Sequence, residues 1–351
     1  MPTYAADLCV RQFQLLRAAW PASGRETLAA LQPLVNLARL THRAGSSAGA
    51  YDALLALDVA VAANGSFQVL GTPVSFETFA ATDDDRGLAS EWLRAVIRQD
   101  APRLLATAGH WDRAAEHAAL GATHNERLQE ARQLRVVAHL MAGRLGPAIT
   151  LLDTSVIATS WEQATASCLR GLGLLAGGRF TRKDAARLLT ALEVHDEPDP
   201  HEDTNRLRLR LGLTVADLLS ASCPAQADLV HTVLIKEVQT GNDAFAARDL
   251  LRHDGARGRM TLLERNTLTT QVQKAGLGLG HLPQPALDSL RNAITGAESA
   301  LVRALRVRHV RAGDDNSPGS ARGDVGVSAI ASPPAAKAGS GIPARSTLSY
   351  R

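Results

Sequence analysis

Apolar residues recur along most of this chain three and four positions apart, with charged residues between them. Leu8, Phe13, Leu15 and Leu16 set such a stripe over 4–20, where Pro21 and Gly24 close it. At about 3.6 residues per turn this spacing gathers the apolar side chains on one face and predicts an amphipathic helix. Runs 25–43 and 47–63 predict two more, the second ended by Asn64-Gly65. The period then changes. Ser66-Phe67-Gln68-Val69-Leu70 and Val74-Ser75-Phe76-Glu77 flank Gly71-Thr72-Pro73 and predict one small β-hairpin near residues 66–77.

From 86 to 310 the helical period returns, broken near Gly109, Gly143, Gly177-Gly178, Cys223-Pro224, Gly241 and Gly276. Thr82-Asp83-Asp84-Asp85 reads as a helix start, a cap followed by acids that complement the positive end of the helix dipole. Ser160-Trp161-Glu162-Gln163 reads as a capping box and Asn125 as a further cap. The last helix, about 284–311, carries Leu287, Leu290, Ile294, Ala297 and Leu301 on one face. Residues 314–351 are mostly Gly, Pro, Ser and Ala, too poor in apolar side chains to offset chain ordering, which predicts a disordered tail. The chain therefore divides into 1–81 (helices plus hairpin), 82–313 (a helical repeat region) and 314–351.

Composition supports an all-α class. Of 351 residues 45% are hydrophobic but only 4% aromatic, and Ala, Leu and Arg favour helix where strands want aromatic and β-branched residues. The net charge of +3 is small for this length, with no clustered basic stripe of the kind a nucleic-acid binder shows. Arg supplies nearly all the positive charge, a bias typical of high-GC actinobacterial genomes. Cys9, Cys168 and Cys223 are far apart with no CxxC, as expected of buried reduced thiols. No secretion signal or membrane-length apolar run is evident, so the expected location is the cytoplasm.

One regularity goes beyond period and composition. Ala108-Gly109, Ala142-Gly143 and Ala176-Gly177 lie 34 residues apart, each between two apolar helical runs. In the first two units a large apolar residue, Trp111 or Leu145, follows the Gly by two, and Ala114 or Ala148 follows it by five. Gly relieves a helix C-terminus, and a small Ala lets helix axes approach closely. Over roughly 94–186 this pattern resembles the tetratricopeptide repeat (TPR). In the third unit three extra residues separate Gly177 from Ala185, and the family's first-helix Trp, Leu and Gly have no counterparts. The resemblance implies stacked antiparallel helical hairpins, a TPR-like solenoid or an irregular bundle, and places Gln99, Arg103, Gln133 and Ser167 where that family's groove residues lie.

Candidate chemistry is sparse. His110, His117 and His124 are seven apart, too far along a helix for one metal ion. The densest ligand-type cluster is His195, Asp196, Glu197, His201 and Glu202, around Pro198 and Pro200; it reads as an acidic linker and, in second place, as a metal or docking loop. Arg206, Arg208 and Arg210 alternate with leucines and are expected on a helix, paired with that linker. Gly171-Leu172-Gly173 follows no strand and fails as a dinucleotide fingerprint, and phosphate-loop, HExxH and GxSxG motifs are missing. The expectation is a non-enzymatic scaffold or regulator that binds a protein or peptide, with no cofactor, no direct nucleic-acid contact and no membrane insertion. The alternatives are a helical enzyme or accessory protein of specialised metabolism, holding a metal through the acidic/His loop or Asp83–Asp85, and a transcriptional regulator acting through a partner.

Overall fold

The computed structural model describes residues 2–121, 126–195, 205–277 and 281–314. The chain opens with α1 (Pro2–Arg17), α2 (Arg25–Arg43) and α3 (Ser47–Ala62), then β1 (Ser66–Val69) and β2 (Thr72–Ser75). Six helices follow: α4 (Asp83–Thr107), α5 (Trp111–Gly121), α6 (Glu130–Met141), α7 (Leu145–Asp153), α8 (Ser160–Ala176) and α9 (Arg182–His195). The rest comprises α10 (Asn205–Ser220), α11 (Pro224–Gly241), α12 (Ala244–Arg252), α13 (Asp254–Arg259), α14 (Leu262–Lys274) and α15 (Gln284–Asp314). The fold is all-α with one small hairpin, and among the described residues no helix is long and apolar enough to cross a membrane. The anticipated tail lies outside the described residues after Asp314.

Consecutive helices pack on one another from α1 through α12, and α8 also touches α6 and α10 across the intervening helices. The apolar core is correspondingly a chain of three clusters. The first spans Phe13 to Leu134 and includes the hairpin, so it runs straight through the anticipated boundary at 81/82. Its densest part is aromatic: Trp20 lies 5.1 Å from Phe79 and 5.4 Å from Phe76, ring centre to ring centre. Trp111 packs against both this cluster and the small one of Leu128, Val136, Val137, Ala148, Leu152 and Leu169. Leu172 joins the latter to the third cluster, which runs from Ala164 to Leu268. At the far end α15 returns to α1, through Leu301 and an Arg11–Glu298 ion pair.

The joints between α4 and α5, α6 and α7, and α8 and α9 are built alike. Each first helix ends with a glycine at positive φ: Gly109 (81°), Gly143 (70°) and Gly178 (64°). The next N–H reaches back to a carbonyl five residues earlier, His110 to Leu105, Arg144 to His139 and Arg179 to Leu174, each at 2.8 Å. This is the left-handed helix ending that a Cβ disfavours. The third joint uses Gly178 rather than the expected Gly177, whose φ is −82°. The extra residues are absorbed before α9 begins. Ala114, Ala148 and Ala185 thus all occupy the fourth position of their helices and are all buried. Ala115, which the helical wheel turns away from Ala114, is buried as well.

Small residues recur where helices meet. A Cβ on Gly173 would lie 2.7 Å from Leu145 Cδ1 and 2.8 Å from Leu140 Cδ2, and one on Gly212 would lie 2.9 Å from both methyls of Leu234. Gly171 and Gly173 are therefore packing residues inside α8.

Helix starts explain most of the acidic sequence signals. Thr82 caps α4 by accepting from Asp85 N–H at 3.1 Å. The Asp85 carboxylate in turn accepts from Gly24 N–H at 2.5 Å and from the Thr82 hydroxyl at 2.7 Å. These bonds favour the ionised form, the Gly24 N–H most of all, and hold Asp85 below the usual carboxylate range. The capping box on α8 is one residue earlier than expected: Thr159 and Glu162 form it, not Ser160 and Gln163. Glu162 is fully buried and also takes an ion pair from Arg127 at 2.8 Å. The expected cap Asn125 lies outside the described residues, and α6 starts only at Glu130.

Candidate functional site

The four residues expected to line a groove sit on alternate helices, Gln99 and Arg103 on α4, Gln133 on α6 and Ser167 on α8. Three of them already serve the fold. Arg103 makes a two-bond ion pair with Glu130, Nε to Oε1 at 2.9 Å and a second nitrogen to Oε2 at 3.2 Å, tying α4 to the first turn of α6. That hydrogen-bonded carboxylate raises the affinity of the guanidinium for its proton. Gln133 donates to Leu128 O at 2.8 Å and fixes the loop before α6. Ser167 donates to Gln163 O, one turn back in its own helix, at 2.9 Å. Gln99 is exposed.

Ser167 also opens onto a cleft of about 730 Å³ between α8 and α9. Its charged rim holds Arg170, Lys183 and Arg187 against Asp153 and Asp184. Arg170 pairs with Asp153, and Arg187 stands 3.5 Å from Asp184. Thr181 donates to Asp184 from both its hydroxyl and its backbone, the hydroxyl chiefly holding that carboxyl below its ordinary range. The charge of Lys183 also acts on Asp184, and with three cations against two carboxylates the rim carries one excess positive charge. A second cleft, about 610 Å³, is walled by α11, α12 and α14 and presents the amides of Gln239, Asn242, Asn266 and Gln271 beside Lys274. Both hollows fall within the volume range of ligand pockets and are open to solvent; the α8–α9 cleft is lined mainly by apolar surface behind its charged rim.

The remaining sequence candidates disperse. His117 accepts or donates a 2.9 Å hydrogen bond with the Tyr51 hydroxyl and packs edge-on against that ring, joining α5 to α3. Burial is the main reason its ring resists protonation. His110 is exposed just before α5, and His124 lies outside the described residues. The acidic/His cluster is also outside them: Asp196, Glu197, His201 and Glu202 are not described, and of His195 only its place at the end of α9 is. Arg206, Arg208 and Arg210 do lie on a helix, and they reach forward. Arg208 makes a two-bond pair with Glu237 at 2.7 and 2.6 Å, Arg210 reaches Asp249 at 3.4 Å, and Arg206 lies over the Phe245 ring. All three cysteines are free, and burial pushes the Cys168 thiol up to about 12, out of the nucleophilic range.

One constellation was not foreseen. Asp217 on α10, His231 on α11 and His253 at the α12–α13 corner bring one metal-ligating atom each to within 4.8 Å of the others. They are 14 and 22 residues apart, so no local spacing announces them. The one available signal was a histidine on a helix face otherwise occupied by Ala227, Val230, Leu234, Ile235 and Val238. Comparison with protein-family models, curated proteins and solved structures finds no match, so the clefts and this cluster are read from their own geometry.

Proposed function

We propose that the chain is a non-enzymatic protein- or peptide-binding scaffold or regulator of the cytoplasm, built on TPR-like helical hairpins. The observation that carries this reading is the α8–α9 cleft with Ser167 on its wall, in a stack whose hairpins share one joint. Stacked hairpins present first-helix faces side by side, and such faces form extended binding surfaces. The cleft is open, with apolar walls and a rim that carries one more positive than negative charge, which suits an extended segment with apolar side chains and a carboxylate. Arg103 and Gln133 support the surface by fixing α6 rather than by contacting the partner.

Affinity purification of the full chain from its native cells, followed by mass spectrometry, tests the reading against two variants. Ser167→Trp fills the cleft from a half-exposed position, and Lys183→Glu reverses the excess charge of its rim. A partner recovered by the parent and lost by both variants is the expected result. Recovery of the same proteins by parent and variants alike overturns it.

A further inference from the structure

His231 points a nitrogen at nothing. The residue is 1% exposed, on the core face of α11. Its Nδ1 stands 2.9 Å from Ala227 O. A carbonyl can only accept, so Nδ1 carries the ring proton and Nε2 carries the lone pair. That Nε2 is buried and has no hydrogen-bond partner among the described residues. Folded proteins rarely leave such an atom unsatisfied.

The surroundings of that nitrogen are those of a ligand sphere. The His253 ring lies 5.8 Å from the His231 ring, centre to centre. His253 Nδ1 accepts from Ala256 N–H at 3.2 Å, so Nε2 carries its proton and donates to Asp217 Oδ2 at 3.1 Å. The space in front of His231 Nε2 is kept open by Gly255: a Cβ there would stand 3.3 Å from Nε2 and 3.2 Å from His253 Cε1. The nearby cation, Arg259, is paired with Asp228 and donates to Gly255 O at 2.9 Å. The Asp217 carboxylate is exposed and swings without disturbing the core.

We propose that Asp217, His231 and His253 bind a divalent transition-metal ion of the zinc class, tying α10, α11 and the α12–α13 corner together. Two imidazoles and a carboxylate are donors that zinc takes readily, while magnesium and calcium prefer all-oxygen sets. Metal–ligand bonds of about 2.0–2.1 Å place tetrahedral donors roughly 3.3 Å apart. His253 Nε2 and Asp217 Oδ2 already have that separation, and rotation of the exposed Asp217 and the corner His253 draws the third donor in. On loading, the His253 proton moves from Nε2 to Nδ1, at the cost of the hydrogen bond that Nδ1 accepts from Ala256 N–H.

The full chain, freed of metal by dialysis against a chelator, is titrated with Zn2+ in competition with a chromophoric zinc indicator. One equivalent should bind, and zinc at ~100 times Kd should raise Tm by about 4 °C. Co2+ should give the visible bands of a tetrahedral site. His231 is buried and its variants could misfold, so the decisive substitutions are Asp217→Asn and Gly255→Ala. The first removes an exposed ligand, and the second sets a methyl group 3.3 Å from His231 Nε2 and 3.2 Å from His253 Cε1, between the two rings. Both should fold cooperatively without metal, Asp217→Asn at the parental Tm, yet weaken zinc at least ~10-fold, as losing even a supporting residue does. His110→Gln, at an exposed histidine, should bind like the parent. Zinc affinity weaker than ~1 mM in the parent, or parental affinity in both decisive variants, overturns the proposal.

Discussion

Gly173 offers a test in which two effects of opposite sign compete. Replacing a glycine inside a helix by alanine removes backbone freedom from the unfolded chain, and propensity alone stabilises by about 0.8–1 kcal/mol. At Gly87 in α4, exposed and with nothing within 4 Å of an added Cβ, that gain should appear in full. At Gly173 the new methyl would meet Leu145 Cδ1 at 2.7 Å and Leu140 Cδ2 at 2.8 Å. This is roughly 1 Å inside the optimal carbon–carbon separation. The other methyl of Leu145 lies over Gly177, where a Cβ would meet it at 3.0 Å. Overpacking of this kind costs about 1–3 kcal/mol. Gly173→Ala should therefore be neutral to ~2 kcal/mol less stable than the parent, and Gly87→Ala about 1 kcal/mol more stable. Urea unfolding followed by far-UV circular dichroism measures both. Against a Leu145→Ala background Gly173→Ala should cost less than in the parent, because one of the two obstructing methyl groups is gone and only Leu140 Cδ2 remains. Equal stabilisation at positions 87 and 173, or an effect at 173 indifferent to residue 145, refutes the close crossing of α8 over α6 and α7.

Other outcomes follow from the joints, the hairpin and the α4 cap. Ala114→Leu and Ala148→Leu, at fully buried fourth positions, should each lower stability by about 1–3 kcal/mol, whereas Ala119→Leu, exposed on α5, should melt within a degree or two of the parent; equal melting of all three would break the equivalence of the joints. Leu70 and Gly71 form a two-residue turn with φ of 47° and 83°, a geometry that suits Asn-Gly. Because Leu70 is exposed, Leu70→Asn should stabilise by about 0.5–1 kcal/mol in the same unfolding assay. The ionised Asp85 carboxylate is favoured in the fold, so its contribution is complete above the unfolded value near ~3.9 and fades as pH falls through the lower folded one. The stability difference between the parent and Asp85→Asn should be flat above about pH 5 and shrink below about pH 4.

The sequence and the structure agree where a signal is local and unique. The run 25–43 is α2 to the residue, because a positive-φ glycine sits before it and apolar periodicity fills it. The hairpin is legible for the same reason: β-prone residues flank a glycine turn, and the strands pair from Val69 and Thr72 outward. Disagreement begins where two adjacent residues fit one rule. Thr159…Glu162 and Ser160…Gln163 both match a capping box, and the choice falls to Arg127, distant in sequence, which pairs with a glutamate but has no use for a glutamine. Gly177 and Gly178 are likewise equivalent until the packing of Leu145 against Gly177 fixes which one ends the helix.

The site was harder to read for a different reason. Repeat register identifies which helix face a residue occupies but not what that face meets. Arg103 is on an expected position and is nevertheless committed to Glu130, 27 residues on, a pairing no periodicity announces. The same blindness hides Asp217, His231 and His253, whose donors converge only because α10, α11 and the α12–α13 corner pack together. In a helical stack each helix contributes one or two side chains to any point in space, so a site assembled from three helices leaves only isolated letters in the sequence. A histidine on an apolar stripe was such a letter. It acquires meaning when its ring is seen to spend one nitrogen on its own helix and leave the other, buried and open, facing a glycine.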